Sequence, residues 1–117
     1  MNIDHIKAFV PAKNYEHSQQ FFTDIGFTAT YPSEDLTLLE NDSCSLFVFR
    51  AEDEDLPKQF MLQICVTDIN VAFEQCSKAR HKQDISDVQI EHWGKVFYLS
   101  GPSGEFLHIT QLGNYKA

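Results

Sequence analysis

The predicted order of secondary-structure elements in the first half of this chain repeats in the second half. Alternating side chains predict a strand from Ile3 to Val10, Asn14 is a typical helix N-cap, and three further strands are predicted up to residue 50. The pattern restarts with a strand at 60–66, an N-cap at Asp68 and three strands at 88–90, 93–99 and 106–112. Two β-α-β-β-β copies of about 55 residues therefore account for the sequence.

This duplication limits what the chain can fold into. A sheet that carries one helix is covered on only one face, so two such units must pack together. We expect an α+β protein in which two β-α-β-β-β modules, residues 1–56 and 57–117, form a curved mixed sheet around a cleft. A length of 117 residues, 43% of them apolar, predicts one domain with its own core. Such clefts are where ligands bind.

The net charge of −8 limits the partners that the protein can have. The chain has 9 basic and 17 acidic residues, and the first 56 residues carry 3 basic and 11 acidic side chains. Nucleic-acid binding depends on Lys and Arg, so we expect no nucleic-acid partner. Cationic or neutral small molecules fit this charge better. The acidic run at 52–55 leaves open a third interpretation, a module that docks a protein partner.

The cysteines and the N-terminus indicate the compartment. Three cysteines without a Cys-x-x-Cys pair are a poor disulfide framework, which favours a reducing compartment. The N-terminus has no signal-peptide pattern, and no apolar run approaches the roughly 20 residues that span a bilayer. We therefore expect a cytoplasmic protein with no membrane partner.

Three short motifs resemble a known superfamily. They are the segment from Phe9 to Phe27, the pair Trp93-Gly94 ahead of a strand, and the turn and strand from Gly101 to His108. In this order they resemble the vicinal oxygen chelate superfamily, which includes glyoxalase I, extradiol dioxygenases and bleomycin-resistance proteins. The spacing is most similar to the bleomycin-resistance branch. Because members of this superfamily commonly pair, the resemblance also implies a homodimer.

The resemblance implies four inward-facing strand positions, which hold His, Glu or Gln ligands in metal-dependent members. Here these positions carry His5, Phe47, Met61 and His108. Phe has no donor atom and Met suits soft ions, so two histidines remain, with Gln63 as a weak third donor only in a shifted register. We expect no metal cofactor. The alternative is a lyase, isomerase or dioxygenase in which His5 and His108 bind one divalent ion such as Zn, Ni, Mn or Fe.

Strand alternation brings aromatic and polar side chains to the predicted cleft. An aromatic cleft suits a flat, partly apolar organic ligand, and the acidic charge favours a cation. The predicted cleft residues are His5, Lys7, Phe9, Ser45, Phe47, Phe49, Met61, Gln63, Trp93, Phe106 and His108.

The leading interpretation is a metal-free homodimer of the bleomycin-resistance-like branch. It would sequester a cationic or aromatic small molecule in a cleft completed by the second subunit, without transforming it. No catalytic residue is assigned, and we lean against an enzyme.

Overall fold

A computed structural model describes residues 1–53, 55 and 60–113. Neither helix in this part of the chain is long and apolar enough to cross a bilayer. The elements in chain order are β1 (Phe9–Ala12), α1 (Tyr15–Asp24), β2 (Thr28–Ser33), β3 (Leu36–Asn41), β4 (Cys44–Arg50), β5 (Met61–Cys65), α2 (Ile69–Ser77), β6 (Asp84–Ile85), β7 (Gln89–Glu91), β8 (Gly94–Ser100) and β9 (Phe106–Leu112).

The strands are divided between two mixed sheets with the same topology. The first has the order β1-β4-β3-β2, and the second has the order β5-β9-β8-β6, with β7 also paired to β8. In each sheet the strand before the helix pairs in parallel with the last strand of its half, and the other pairs are antiparallel. The predicted α+β fold with a duplicated pattern is confirmed. The predicted module boundary between residues 56 and 57 lies outside the described residues, as does part of the acidic run at 52–55.

The additional short strand is explained by a bulge. Both β6 and β7 pair antiparallel with β8, and the pairing shifts by one residue between Ile85 and Gln89. The two short strands thus take the place of one strand interrupted by an extra residue, which is how a β-bulge arises. The sequence predicted only the 88–90 part, because two residues at 84–85 are too few to display alternation.

The first strand differs from its prediction. It runs from Phe9 to Ala12 rather than from Ile3 to Val10, and it includes Pro11. A proline is tolerated there because β1 is an edge strand, whose outward side needs no N–H donor. Ile3 and Ile6 precede the strand and remain 65% and 83% exposed. The alternation predicted over residues 3–10 indicates β propensity but does not supply a pairing partner.

The side chains at the two helix N-caps form different hydrogen bonds, one local and one to a distant part of the chain. The Asp68 side chain accepts hydrogen bonds from the backbone N–H groups of Asn70 and Val71, as the prediction of an N-cap requires. Asn14 lies at the predicted cap position, but its side chain does not cap the helix. Its Nδ2 instead donates to the Pro102 carbonyl at 3.0 Å, which connects α1 to the last turn of the chain.

One core serves both halves of the chain. The helices and the facing sides of both sheets contribute to a single cluster of buried apolar side chains, and its loss of water contact is the main stabilising term. Its members are Val10, Ala12, Tyr15, Phe21, Phe22, Leu39, Leu46, Val48, Ile69, Cys76, Ala79, Phe97, Leu99, Leu107 and Ile109.

A buried carboxylate also ties the two halves together. Glu105 is 1% exposed and lies directly before β9. Its Oε2 accepts a hydrogen bond from the Ser18 hydroxyl of α1 at 2.5 Å, and its Oε1 accepts the Ser103 N–H at 2.8 Å. A Cβ at Gly101 would lie 2.6 Å from Oε1, so the turn leaves no room for a side chain there. Burial raises the pKa of Glu105, although these hydrogen bonds act to lower it.

The raised pKa predicts the pH dependence of stability. Glu105 has an ordinary value of 4.5 and a higher one in the folded chain, so the unfolded chain ionises first as the pH rises. Between the two values the free energy of unfolding of the wild type, relative to Glu105→Gln, should fall by about 1.4 kcal/mol per pH unit and then level off. Urea unfolding of both proteins measures this difference, beginning below pH 4.5 and continuing to higher pH until the difference levels off.

Glu16→Gln is the matched control. Arg50 donates a hydrogen bond to the Glu16 carboxylate and lowers its pKa. The free energy of unfolding of the wild type, relative to Glu16→Gln, should therefore rise with pH below 4.5. If the difference in free energy of unfolding between the wild type and Glu105→Gln did not change with pH, the Glu105 carboxylate would not be desolvated.

Candidate ligand-binding faces

Each sheet has an open face, which is the side opposite its helix and the core. On the second sheet, the strand register places Gln63, His108 and Tyr98 side by side across β5, β9 and β8. Met61 and Phe106 form the adjacent row. Directly paired residues point to the same side of a sheet, so these five side chains share the open face.

Three of these residues form an aromatic wall, defined as Tyr98, Phe106 and His108. The rings of Tyr98 and Phe106 stack with centroids 5.7 Å apart. The His108 ring stands edge-on to both, at 4.8 Å from Tyr98 and 5.0 Å from Phe106. Its Nε2 is buried and has no hydrogen-bond partner among the described residues. A buried polar atom without a partner is costly in a native fold, which makes this nitrogen the clearest indication of a ligand.

The open face of the first sheet is apolar. Phe9 and Phe47 stack at 4.7 Å, and the register places Leu38 beside Phe47 and Leu36 beside Phe49. Phe9 is 51% exposed although its ring is stacked. This face offers apolar contact area and few polar groups.

The duplication relates the two faces to each other. Phe9 and Gln63 precede the N-caps of their respective helices by the same number of residues. Phe9 pairs with Phe47, and Gln63 pairs with His108. Equivalent positions thus hold two apolar rings in the first half and an amide with an imidazole in the second.

The structure separates two predicted site residues from the others. His5 and Lys7 precede β1, and His5 is exposed. The His5 Nδ1 lies 2.7 Å from the Asp4 carboxylate, and the Lys7 ammonium contacts the His5 Nε2. Both imidazole nitrogens of His5 are therefore engaged by neighbours in sequence. The other predicted residues lie on or beside the strands of the open faces.

These contacts do not fit a divalent metal. Within the described residues, no group of three or more His, Cys, Asp or Glu side chains is arranged to hold an ion. The Lys7 charge beside His5 would repel a cation. Phe47 has no donor atom, and His108 is surrounded by aromatic carbon rather than by further ligands. The donor set falls short of the three protein ligands that a catalytic zinc site uses.

Some side chains of the open faces were not predicted from the sequence, and some predicted residues lie at the edge of a face. Leu36 and Leu38 were not assigned to the cleft, although their pairing with β4 could have been inferred from the short turn at 41–43. Ser45, which was predicted for the cleft, lies near one end of β4, where it pairs with Glu40. Trp93 lies one residue before β8 and makes none of the ring contacts of the aromatic wall.

The donor set predicts the outcome of a metal titration. Metal-stripped protein should not take up one Zn, Ni, Mn or anaerobic Fe(II) ion per chain with sub-micromolar affinity, because too few donors converge. Calorimetric titration of the wild type, His5→Ala and His108→Ala measures this. Stoichiometric binding that both variants lose would show that the two histidines do meet at an ion.

The structure was compared with known proteins. No family model and no curated protein matches the sequence. Among solved structures, the bleomycin-binding protein of Streptomyces verticillus in complex with copper(II)-bleomycin is 18% identical, with a TM-score of 0.78 over 96% of this chain and 100% of that chain. An antibiotic-binding protein from a Streptomyces species is 16% identical, with a TM-score of 0.77 over 97% and 99% of the two chains.

A glyoxalase/bleomycin resistance protein/dioxygenase from Nocardioides is 17% identical, with a TM-score of 0.72 over 99% of this chain and 88% of that chain. The similarity extends over nearly the whole length of each chain, as the sequence motifs predicted. This chain therefore shares the fold of these bleomycin-binding and glyoxalase/bleomycin resistance/dioxygenase proteins.

Proposed function

We propose that this protein is a cytoplasmic, homodimeric, metal-free binding protein that sequesters a small aromatic, cationic compound. The observation that carries the proposal is the aromatic wall with its unpartnered His108 Nε2. A ligand that stacks on the wall and hydrogen-bonds this nitrogen relieves the cost of leaving it unpaired.

The chemistry of the wall favours a particular ligand class. Stacked rings of Tyr98 and Phe106 offer a flat surface to an aromatic group, and their π faces attract cations. An imidazole nitrogen that carries no proton accepts a hydrogen bond from an ammonium or amide N–H, and Gln63 lies beside His108 to add a second polar contact. The net charge of −8 raises the local concentration of cations.

The open faces support dimerisation as part of the site. Phe9 is 51% exposed and Met61 is 61% exposed, and each lies on the open face of its own sheet. Among the described residues, the ring contacts on each open face join side chains of the same sheet. One protomer therefore offers two open faces, each of which would form half of a site. A two-fold axis would place the apolar face of one protomer against the aromatic wall of its partner. The ligand would then be enclosed between them.

The solved structures are consistent with this proposal. One of the similar proteins was solved with copper(II)-bleomycin bound, and another is an antibiotic-binding protein. Bleomycin is therefore the first compound to test. The enzyme alternative has no comparable support, because the described residues do not converge on a metal.

Ligand binding should depend on the His108 nitrogen. We expect bleomycin or an aromatic ammonium compound to raise the Tm of the wild type, because a ligand stabilises the state it binds. In calorimetric titration, His108→Phe should bind the same compound about tenfold more weakly, since it keeps a ring but loses one hydrogen bond of about 1–1.5 kcal/mol. Ile90→Ala, on the helix side of the same sheet, is the control and should bind normally. Equal affinities of wild type and His108→Phe would exclude this nitrogen from the site.

Dimerisation should depend on the open faces. Met61→Glu should raise the dimer dissociation constant at least about tenfold, because a carboxylate would have to be buried in the interface. Ile90→Glu is the control, since Ile90 is 80% exposed but pairs with Lys95 on the other side of the second sheet. Sedimentation equilibrium measures both. A monomeric wild type, or a Met61→Glu variant that dimerises as tightly as Ile90→Glu, would contradict the dimer.

A further inference from the structure

A second cavity lies where the two halves of the chain meet, at the end of β5. It has a volume of about 690 Å³. Four segments and Ile109 of β9 line it, and none of the predicted cleft residues does. The segments are the α1–β2 loop at 25–27, the β3–β4 turn at 41–44, the end of β5 with its following loop at 64–68, and α2 at 71–76. We name it the junction groove.

The junction groove has an apolar lining and a negative charge. Apolar side chains such as Phe27, Ile64 and Val66 line it. Asp42 and Asp68 are its charged residues, and no Lys, Arg or His from the described part of the chain lines it. An apolar surface beside two carboxylates is complementary to a compound with an apolar body and a positive group.

Neither carboxylate is neutralised by a cation. Asp68 caps α2 through Oδ1, which accepts the Asn70 and Val71 N–H groups at 3.0 and 3.3 Å and leaves Oδ2 available. Asp42 occupies the β3–β4 turn with φ at +51°, and its side chain makes no hydrogen bond or ion pair with a described residue. Two negative groups at one groove therefore keep free acceptor oxygens.

We propose that the junction groove is a second ligand site, which binds a small organic cation with an apolar or aromatic body. Its volume lies within the range of about 300–1,000 Å³ that is usual for small-molecule sites. The positive group would lie between Asp42 and Asp68, and the apolar body would contact Phe27 and Ile64. This site is separate from the aromatic wall and does not depend on the function proposed above.

Two thiols provide a direct measure of occupancy. Cys44 and Cys65 line the junction groove, and both are free and exposed. Cys76 also lines it but is buried, and burial raises the pKa of its thiol to about 11, so it reacts slowly with alkylating agents. A bound ligand should shield Cys44 and Cys65 together, whereas a ligand on the open face of the second sheet could at most shield Cys65.

The test compares a cation with its neutral analogue. 2-Naphthylmethylammonium and 2-naphthylmethanol have the same ring, and only the first is charged. We expect the ammonium compound, at millimolar concentration, to slow iodoacetamide alkylation of both Cys44 and Cys65 at least about threefold, as measured by mass spectrometry of peptides. The alcohol should give much weaker protection, because it lacks the charge that the carboxylates attract.

Two variants locate the site. Asp42→Asn with Asp68→Asn removes both charges, while Asn remains a good N-cap and tolerates the positive φ of the turn. This variant should keep the wild-type far-ultraviolet circular dichroism and lose protection by the ammonium compound. His108→Phe should keep full protection, which separates this site from the aromatic wall.

Four results would overturn the proposal. They are no protection of Cys44 by the ammonium compound, equal protection by the alcohol, unchanged protection in the double Asn variant, and loss of protection in His108→Phe. The last result would place the cation on the open face instead.

Discussion

The fold depends on a carboxylate that is buried where the two halves of the chain meet. Glu105 precedes β9, yet its partner Ser18 belongs to α1 of the other half. Burying a carboxylate is unfavourable unless hydrogen bonds compensate for lost hydration. Ser18 and Ser103 supply them, and the two hydroxyls also contact each other at 2.7 Å. These hydrogen bonds hold α1 against the last turn, and they thereby join the two halves that carry the open faces.

The sequence predicted what local patterns determine. N-caps at Asn14 and Asp68, the strand β4 and the strand β9 follow from cap residues and from alternation, and the structure places them where expected. Partners distant in sequence could not be predicted in this way. The Asn14 side chain reaches the Pro102 carbonyl, and alternation around His5 says nothing about which strand, if any, it joins. The site was predicted in part for the same reason. Strand parity placed Phe9 and Phe47, whose rings stack, on one face, but only the pairing register adds Tyr98, Leu36 and Leu38.

The two halves keep one topology and carry different chemistry. At equivalent positions the first half has Phe9 and Phe47, and the second has Gln63 and His108. Backbone hydrogen bonds of the paired strands do not depend on these side chains, so the open faces could change without cost to the sheets. In the proposed dimer, an imidazole nitrogen opposite the partner's apolar face would hold one ligand in one orientation. The convergent donors that metal chemistry requires are missing from the described residues.

A proline at one sheet edge and a bulge at another affect how the chains associate at high concentration. Pro11 removes one backbone donor from β1 at the rim of the first sheet, and the bulge between β6 and β7 bends the rim of the second. Uninterrupted rims act as templates on which further chains can add strand by strand. Both rims here discourage such open-ended growth into fibres. Association by these two rims is thus disfavoured, which is compatible with the face-to-face contact proposed for the dimer.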